Sequence, residues 1–143
     1  MKKRIWISLL LSFILIIALS GCSGLPKTAK INISFVPNPV PYDSENEQWL
    51  LNLILSENNG VGVTLISLRL DVYDQEEELF YTQILYEEDI IDWFDSNYLP
   101  AFSSLQVSIY HTSVKIYEIL TVAGVDDNDN PIEATGRVDF LPK

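Results

Sequence analysis

The sequence is poor in the residues that build disulfides and transition-metal sites. Its 143 residues include one cysteine, Cys22, and one histidine, His111. A single cysteine cannot form an internal disulfide, and zinc is held mainly by several cysteine and histidine ligands. We therefore expect neither a disulfide nor a zinc site. His111 follows "SLQVSIY" and is predicted to lie at the end of a strand or in a turn.

Sequence motifs for catalysis and phosphate binding are also missing. The chain contains no G-x-S-x-G nucleophile elbow. The segment "NNGVG" lacks the lysine and the following helix of a phosphate-binding loop. We expect a protein that is not an enzyme and that carries no cofactor, apart from the calcium alternative described below.

Basic residues are scarce. Nine lysines and arginines stand against 20 acidic residues, a formal net charge of −11 at pH 7. From Cys22 onward, six basic and 20 acidic residues give a formal charge of −14. A surface of this sign repels phosphate backbones. We therefore expect no nucleic-acid partner.

The longest apolar run is too short to span a membrane. It extends over about 14 residues from Ile5 to Ala18 and follows Lys2, Lys3 and Arg4, whereas a spanning helix needs roughly 20 residues. A basic start, a short apolar stretch and small residues at its end are typical of a secretory signal peptide. We predict that residues 1–21 form such a peptide.

The end of this segment, Leu19-Ser20-Gly21-Cys22, resembles the lipobox of bacterial lipoproteins at all four positions. The resemblance implies that Cys22 is lipidated and becomes the first residue of the mature protein, anchored to the lipid bilayer. Residues 22–30 would then be a lipidated tether outside the cytoplasm. Because Ser23 follows the cysteine, the resemblance implies the outer membrane of a Gram-negative cell, or the outer face of a Gram-positive plasma membrane.

The rest of the chain has no long helical period, and its apolar residues alternate instead. Alternation with period two is typical of half-buried strands. Seven segments show it, separated by turn residues: 31–35, 49–55, 61–72, 79–86, 105–109, 114–124 and 132–140. Seven short strands predict a single all-β domain over residues 31–143, an antiparallel β-sandwich. Trp49 is its candidate core tryptophan.

The strand count, the closing hairpin and the segment "SENNGVGVTL" resemble the immunoglobulin-like domains of bacterial surface proteins. The chain lacks the cysteine pair of antibody-type domains. One segment, "EEDIIDWF" at residues 87–94, predicts a short helix, with Ile90, Ile91 and Phe94 on its apolar side.

The alternation changes phase inside the third predicted strand. Val63 and Leu65 are at odd positions and would lie on one face of the strand. The apolar residues that follow, Leu68 and Leu70, are at even positions. A period of two that slips by one residue indicates a β-bulge or a corner. We predict such an irregularity near residue 66.

An acidic run, "DDNDN", lies between the last two predicted strands. As a calcium-binding EF-hand it fails, because Pro131 stands where glycine is needed and Arg137 stands where the bidentate glutamate should be. Asn and Asp favour tight turns, so we predict a hairpin turn. The alternative is a cation site of another geometry, with calcium as the candidate ion. Its ligands would be Asp126, Asp127 and Asp129.

Four aromatic residues fall in the connection between two predicted strands: Trp93, Phe94, Tyr98 and Phe102. They either close one end of the sandwich or form a partner-binding surface, since aromatic side chains on loops are frequent binding hot spots. Exposure of Trp93 beside Tyr98 would favour binding, and enclosure of both would favour the structural role.

These features predict a membrane-anchored envelope lipoprotein that acts as a non-catalytic binding or assembly module. Its partner, an envelope protein or a glycan, would dock on loops or on an exposed sheet edge. Two alternatives remain open. One is a protease inhibitor that uses loops at one end of the sandwich, and the other is a calcium-dependent adhesion module.

Overall fold

The computed structural model describes residues 27–113 and 116–143. The predicted signal peptide, the lipidation site Cys22 and the tether up to residue 26 lie outside the described residues. In the described part of the chain, no helix is long and apolar enough to cross a bilayer.

The described residues form nine strands and one helix. The strands are β1 Ile31–Val36, β2 Tyr42–Asp43, β3 Gln48–Glu57, β4 Val63–Tyr73, β5 Leu79–Tyr86, β6 Tyr98–Leu99, β7 Ser104–His111, β8 Tyr117–Asp126 and β9 Pro131–Asp139. The helix is α1, Glu87–Phe94. The expected number of seven strands was wrong, because β2 and β6 are two-residue pairings that leave no periodic pattern. Each of the seven longer strands overlaps one of the seven predicted segments, with ends that differ by up to three residues. Residues 114 and 115 of the sixth predicted segment lie outside the described residues.

The strands pair antiparallel in two sheets. In the first sheet β3 lies at the centre, with β7 on one side and β1 and β2 on the other. In the second sheet β4 and β8 lie at the centre, flanked by β9 on one side and by β5 and β6 on the other. The fold is therefore mostly β, with two antiparallel sheets and one short helix.

Alternate residues of both sheets meet in the core. On β3, Leu53 and Leu55 are buried and share a cluster with buried residues of the second sheet such as Leu68 and Val122. A smaller buried cluster lies at the end of the sandwich where β3 begins. It includes Trp49, the predicted core tryptophan. The Nε1 of Trp49 donates a hydrogen bond to the carbonyl of Leu141 at 2.8 Å.

The predicted irregularity in the third long strand is confirmed. The register between β4 and β8 shifts between Leu65 and Ser67, so Leu65 and Leu68 are both buried while Ile66 is 50% exposed. Gly124 pairs with Leu65 at this bulge. A Cβ on Gly124 would lie 2.5 Å from the carbonyl oxygen of Thr64, so the close approach of the two backbones requires glycine.

The predicted helix is confirmed as α1, and one detail was wrong. Its first turn is acidic, which suits the positive end of the helix dipole, and Asp89 Oδ2 accepts a hydrogen bond from the Tyr86 N–H at 3.0 Å. Ile90 and Phe94 are buried against the core, but Ile91 is exposed. At about 100° per residue, Ile90 and Phe94 share a face that Ile91 does not.

Candidate interaction surface

The acidic run forms the turn of the β8–β9 hairpin, and Asp126 organises it. Asp126 Oδ1 accepts hydrogen bonds from the N–H groups of Asn128 and Asn130, both at 2.9 Å. Its Oδ2 accepts one from the Ala29 N–H at 3.0 Å. Burial alone would raise the pKa of Asp126, but these donors hold it below its ordinary value.

The other two candidate ligands have separate roles. Asp127 Oδ2 accepts a hydrogen bond from the Tyr98 hydroxyl at 3.0 Å. Asp129 occupies the left-handed region at φ 62°, and its N–H donates to the Asp126 carbonyl at 3.0 Å. Among residues 27–113 and 116–143, no three His, Cys, Asp or Glu side chains are grouped so that they could hold a metal ion. The arrangement is that of a hairpin turn.

This geometry makes a prediction about calcium. Because Asp126 is occupied by donors of the protein itself and Asp127 by Tyr98, we expect millimolar calcium to leave the melting temperature unchanged. The measurement is a thermal melt followed by circular dichroism, with and without calcium and then with a chelator. A cation bound at 100 times its dissociation constant would add about 2.7 kcal/mol. A chelator-reversible rise in melting temperature would instead support the calcium alternative.

The four candidate aromatic residues do not form one surface. Trp93 is half-buried and packs against the core, and Phe94 is buried within it. Tyr98 and Phe102 are 39% and 73% exposed. Helix α1 turns the first two inward, whereas the connection after it carries the other two to the tight loop at residues 58–62. Trp93 and Phe94 therefore help to pack the core, and only Tyr98 and Phe102 are available to a partner.

A buried glutamate that sequence reasoning missed holds this end of the sandwich together. Glu57 Oε1 accepts hydrogen bonds from the N–H groups of Lys30 at 3.1 Å and Asn59 at 2.7 Å. Its Oε2 accepts from Gly60 at 2.7 Å, from Phe102 at 3.1 Å and from Val61 at 3.3 Å. One carboxylate thus joins the start of β1, the loop after β3 and the connection before β7. Its only local signal is its position before the turn "NNG".

Strand β5 carries a run of exposed apolar residues, which sequence reasoning did not single out as a site. Seven of its eight residues are exposed, and Leu85 is buried. The exposed set includes Leu79, Tyr81, Ile84 and Tyr86, with Tyr86 at 62%. β5 pairs with β4, and no described strand pairs with its other side. We call this strand, with the side that no described strand pairs, the β5 edge.

The β5 edge lies between two acidic flanks, which we define as residues 74–78 and 87–92. They contain eight carboxylates: Asp74, Glu76, Glu77, Glu78, Glu87, Glu88, Asp89 and Asp92. None of these eight forms a salt bridge among the described residues. The sequence has no lysine or arginine between Arg69 and Lys115. The edge is therefore an uncharged strand between two negative surfaces.

A small cavity of about 30 Å³ lies behind the β5 edge, between the two sheets. Most of its lining is apolar, but it also includes His111 and Glu118. Glu118 is buried on β8, and its Oε2 lies 3.7 Å from Nε2 of His111 at the end of β7. Burial raises the pKa of Glu118 to about 7 and lowers the pKa of His111. Near neutral pH His111 is therefore mostly uncharged, whereas Glu118 lies near its own pKa and is only partly protonated.

Comparison with known proteins gives no family. No family model matches the chain, and no curated protein matches it. Weak structural likenesses exist. A CARDB domain from Pyrococcus furiosus, described in complex with di-metal ions, is 13% identical with a TM-score of 0.39, covering 80% of this chain and 88% of that one. A Bordetella pertussis protein given the name ApaA is 14% identical with a TM-score of 0.37, covering 81% and 94%.

A third likeness is to an alkylpurine DNA glycosylase from Pseudomonas fluorescens, bound to DNA containing an abasic site analog. It is 8% identical with a TM-score of 0.41, covers 80% of this chain and spans only 30% of the glycosylase. At these identities and TM-scores, the likenesses carry no argument about the ligand or the activity of this chain.

Proposed function

We propose that this chain is a lipid-anchored envelope lipoprotein with an immunoglobulin-like domain, acting as a non-catalytic binding or assembly module that docks its partner on the β5 edge. The observation that carries the proposal is the exposure of β5 on both faces and along one side. Natural sheet edges are normally protected by charge, proline, a bulge or a covering element. The eight residues of β5 contain no charged residue and no proline, and an open edge of this kind suits β-strand addition.

The order of the longer strands supports the immunoglobulin-like assignment. The first, second and fifth of them, β1, β3 and β7, form one sheet. The fourth, third, sixth and seventh, β5, β4, β8 and β9, form the other. The constant-type immunoglobulin domain has the same grouping except for its fourth strand, which pairs in the first sheet. The shift of that strand to the second sheet creates the β5 edge.

The path of the described tether residues is compatible with an anchor at Cys22. The Lys27 carbonyl accepts a hydrogen bond from Asn128 Nδ2 at 2.7 Å, and the Thr28 carbonyl accepts one from Asn59 Nδ2 at 2.6 Å. Both contacts hold the chain at the end of the sandwich that carries the hairpin turn. From Cys22 to Lys27 an extended chain spans at most about 18 Å. A lipid on Cys22 would therefore keep this end near the bilayer and leave the side of the body, with β5, accessible.

Site-specific photo-crosslinking in the native envelope tests the proposal. A photoreactive amino acid at position 84 on β5 is compared with the same group at position 66 on β4. Both positions hold isoleucine with similar exposure, 45% and 50%. We expect a discrete covalent adduct from position 84 and none from position 66. A Cys22→Ser variant, which removes the acylated thiol, should leave the membrane fraction.

Two results would count against the proposal. Equal adducts from positions 84 and 66, or none from either, would remove the docking role of β5. Membrane retention of the Cys22→Ser variant would remove the lipid anchor, and the two conclusions can be drawn separately because the assays are independent.

A further inference from the structure

We infer that the partner segment of the β5 edge is an extended polypeptide strand with basic residues at both ends. This inference rests on the proposed function and specifies the chemistry of its partner. An uncharged edge strand, flanked on both sides by carboxylates that form no salt bridge among the described residues, is complementary to an apolar or alternating strand that carries lysine or arginine on either side.

The spacing of the acidic flanks sets the spacing of the basic groups. β5 has eight residues, and at about 3.3 Å per residue it extends over roughly 26 Å. A paired strand has the same rise, so its basic residues should be separated by about eight residues. Electrostatic complementarity of this kind favours encounter with the correct partner and register.

The charge near the centre of the edge does not alter this pattern. Arg69 lies across from Ile84 in the β4–β5 pairing, but its Nε contacts Asp71 Oδ1 at 3.0 Å. The same carboxylate oxygen accepts a hydrogen bond from Thr82 at 2.5 Å. The basic group is therefore paired within the protein. Among the described residues, no other basic group lies within salt-bridge distance of the flank carboxylates.

A second copy of the chain is a poor occupant of the same edge. Antiparallel pairing of two β5 strands would bring residues 74–78 of one copy beside residues 87–92 of the other. Parallel pairing would bring each flank beside its own equivalent. In both cases four carboxylates meet four carboxylates at each end, and like charges in close apposition oppose association. The flanks thus discriminate against self-pairing while they attract a cationic strand.

Peptide binding to the full-length lipidated protein in nanodiscs of zwitterionic lipid tests the inference. The probe is a peptide with an alternating valine–threonine segment as long as β5 and two lysines at each end. The matched peptide carries glutamates in place of the lysines. By isothermal titration we expect the lysine peptide to bind at least about tenfold more tightly than the glutamate peptide, with a difference that shrinks at high salt.

Two sets of variants separate the edge from its charge. Ile84→Lys should weaken binding of the lysine peptide about tenfold or more, because charge on an edge strand opposes pairing, whereas Ile66→Lys should leave it unchanged. The double variant Glu76→Lys with Glu88→Lys should weaken the lysine peptide and strengthen the glutamate peptide. Both glutamates are exposed, and neither side chain accepts a hydrogen bond in the described structure.

Equal affinity for the two peptides, or equal loss in Ile84→Lys and Ile66→Lys, overturns the inference. So does a wild-type dimer in light scattering that Ile84→Lys converts to a monomer, since a second copy would then occupy the edge. If position 84 still forms its specific crosslink in the envelope while the lysine peptide fails to bind, only the partner chemistry is wrong and the docking role of β5 stands.

Discussion

Replacing Glu57 with alanine is expected to lower the free energy of unfolding by about 3–5 kcal/mol. The carboxylate accepts hydrogen bonds from five backbone N–H groups in three separate segments. Removing it leaves several enclosed donors without an acceptor, each costing about 1–3 kcal/mol where water cannot replace the lost partner. Urea unfolding followed by tryptophan fluorescence measures the change.

Two further variants make the Glu57 result specific. Glu57→Gln retains one acceptor oxygen and should fall between wild type and Glu57→Ala. Glu133→Ala removes an exposed glutamate of β9 and should change stability by no more than about 0.5 kcal/mol. If Glu57→Ala were as stable as Glu133→Ala, the buried carboxylate would not be what holds this end of the sandwich.

Glu57 should also contribute to acid sensitivity. Burial acts to raise the pKa of its carboxyl, but the backbone donors outweigh burial and lower the pKa to about 2. The ordinary value is 4.5. Its stabilising contribution is therefore present above about pH 4.5 and is lost as the pH falls toward 2. The difference in stability between wild type and Glu57→Ala should shrink over that range.

The second large effect is expected at Glu118, with the opposite dependence on pH. Its pKa is raised by burial from 4.5 in the unfolded chain to about 7 in the folded protein. Between these values the unfolded chain releases a proton that the folded protein retains, so stability falls as the pH rises through this window. Near pH 4 the carboxyl is protonated in both states. Glu118→Gln should then match wild type near pH 4 and exceed its stability at pH 8 by up to about 3 kcal/mol.

The neighbours of Glu118 define the control for this measurement. His111 has a pKa lowered by burial, which makes stability rise with pH up to about 6.5 and opposes the Glu118 trend. Tyr81 has a pKa raised by burial and by the charge of Glu118, and it titrates only at alkaline pH. Glu88→Gln makes the same chemical change at an exposed site, so its stability should follow wild type at both pH values. A constant difference between Glu118→Gln and wild type from pH 4 to pH 8 would contradict the prediction.

Much of the fold could be predicted because its signals are local. The seven longer strands, the β-bulge after Leu65, the helix at 87–94 and the turn after Asp126 all follow from periodicity or turn chemistry within a few residues. The two short strands could not be predicted in this way, since β2 and β6 are defined by their partners alone. Ile91 was placed wrongly because a helix of eight residues, about two turns, is too short for its sequence to define the edge of the apolar face.

The candidate site was less accessible to sequence reasoning. Of the four aromatic residues singled out, Trp93 and Phe94 pack inward, and only Tyr98 and Phe102 remain exposed. Periodicity predicts β5 only as one more strand, although the uncharged segment "LFYTQILY" between two acidic runs indicates an exposed strand with acidic neighbours. The sequence of a strand does not show whether the strand lies at the edge of a sheet or between two other strands.

The sequence by itself determined the acidity of the chain, the positions of its seven longer strands and the tight turn at "DDNDN", because these depend on composition and on neighbouring residues. Tertiary structure alone decided that no described strand lies beyond β5, that the Glu57 carboxylate accepts hydrogen bonds from distant segments, and that His111 lies beside Glu118. Each of these depends on which strands pair across long stretches of chain, and that choice is set by burial of the whole core rather than by any local pattern.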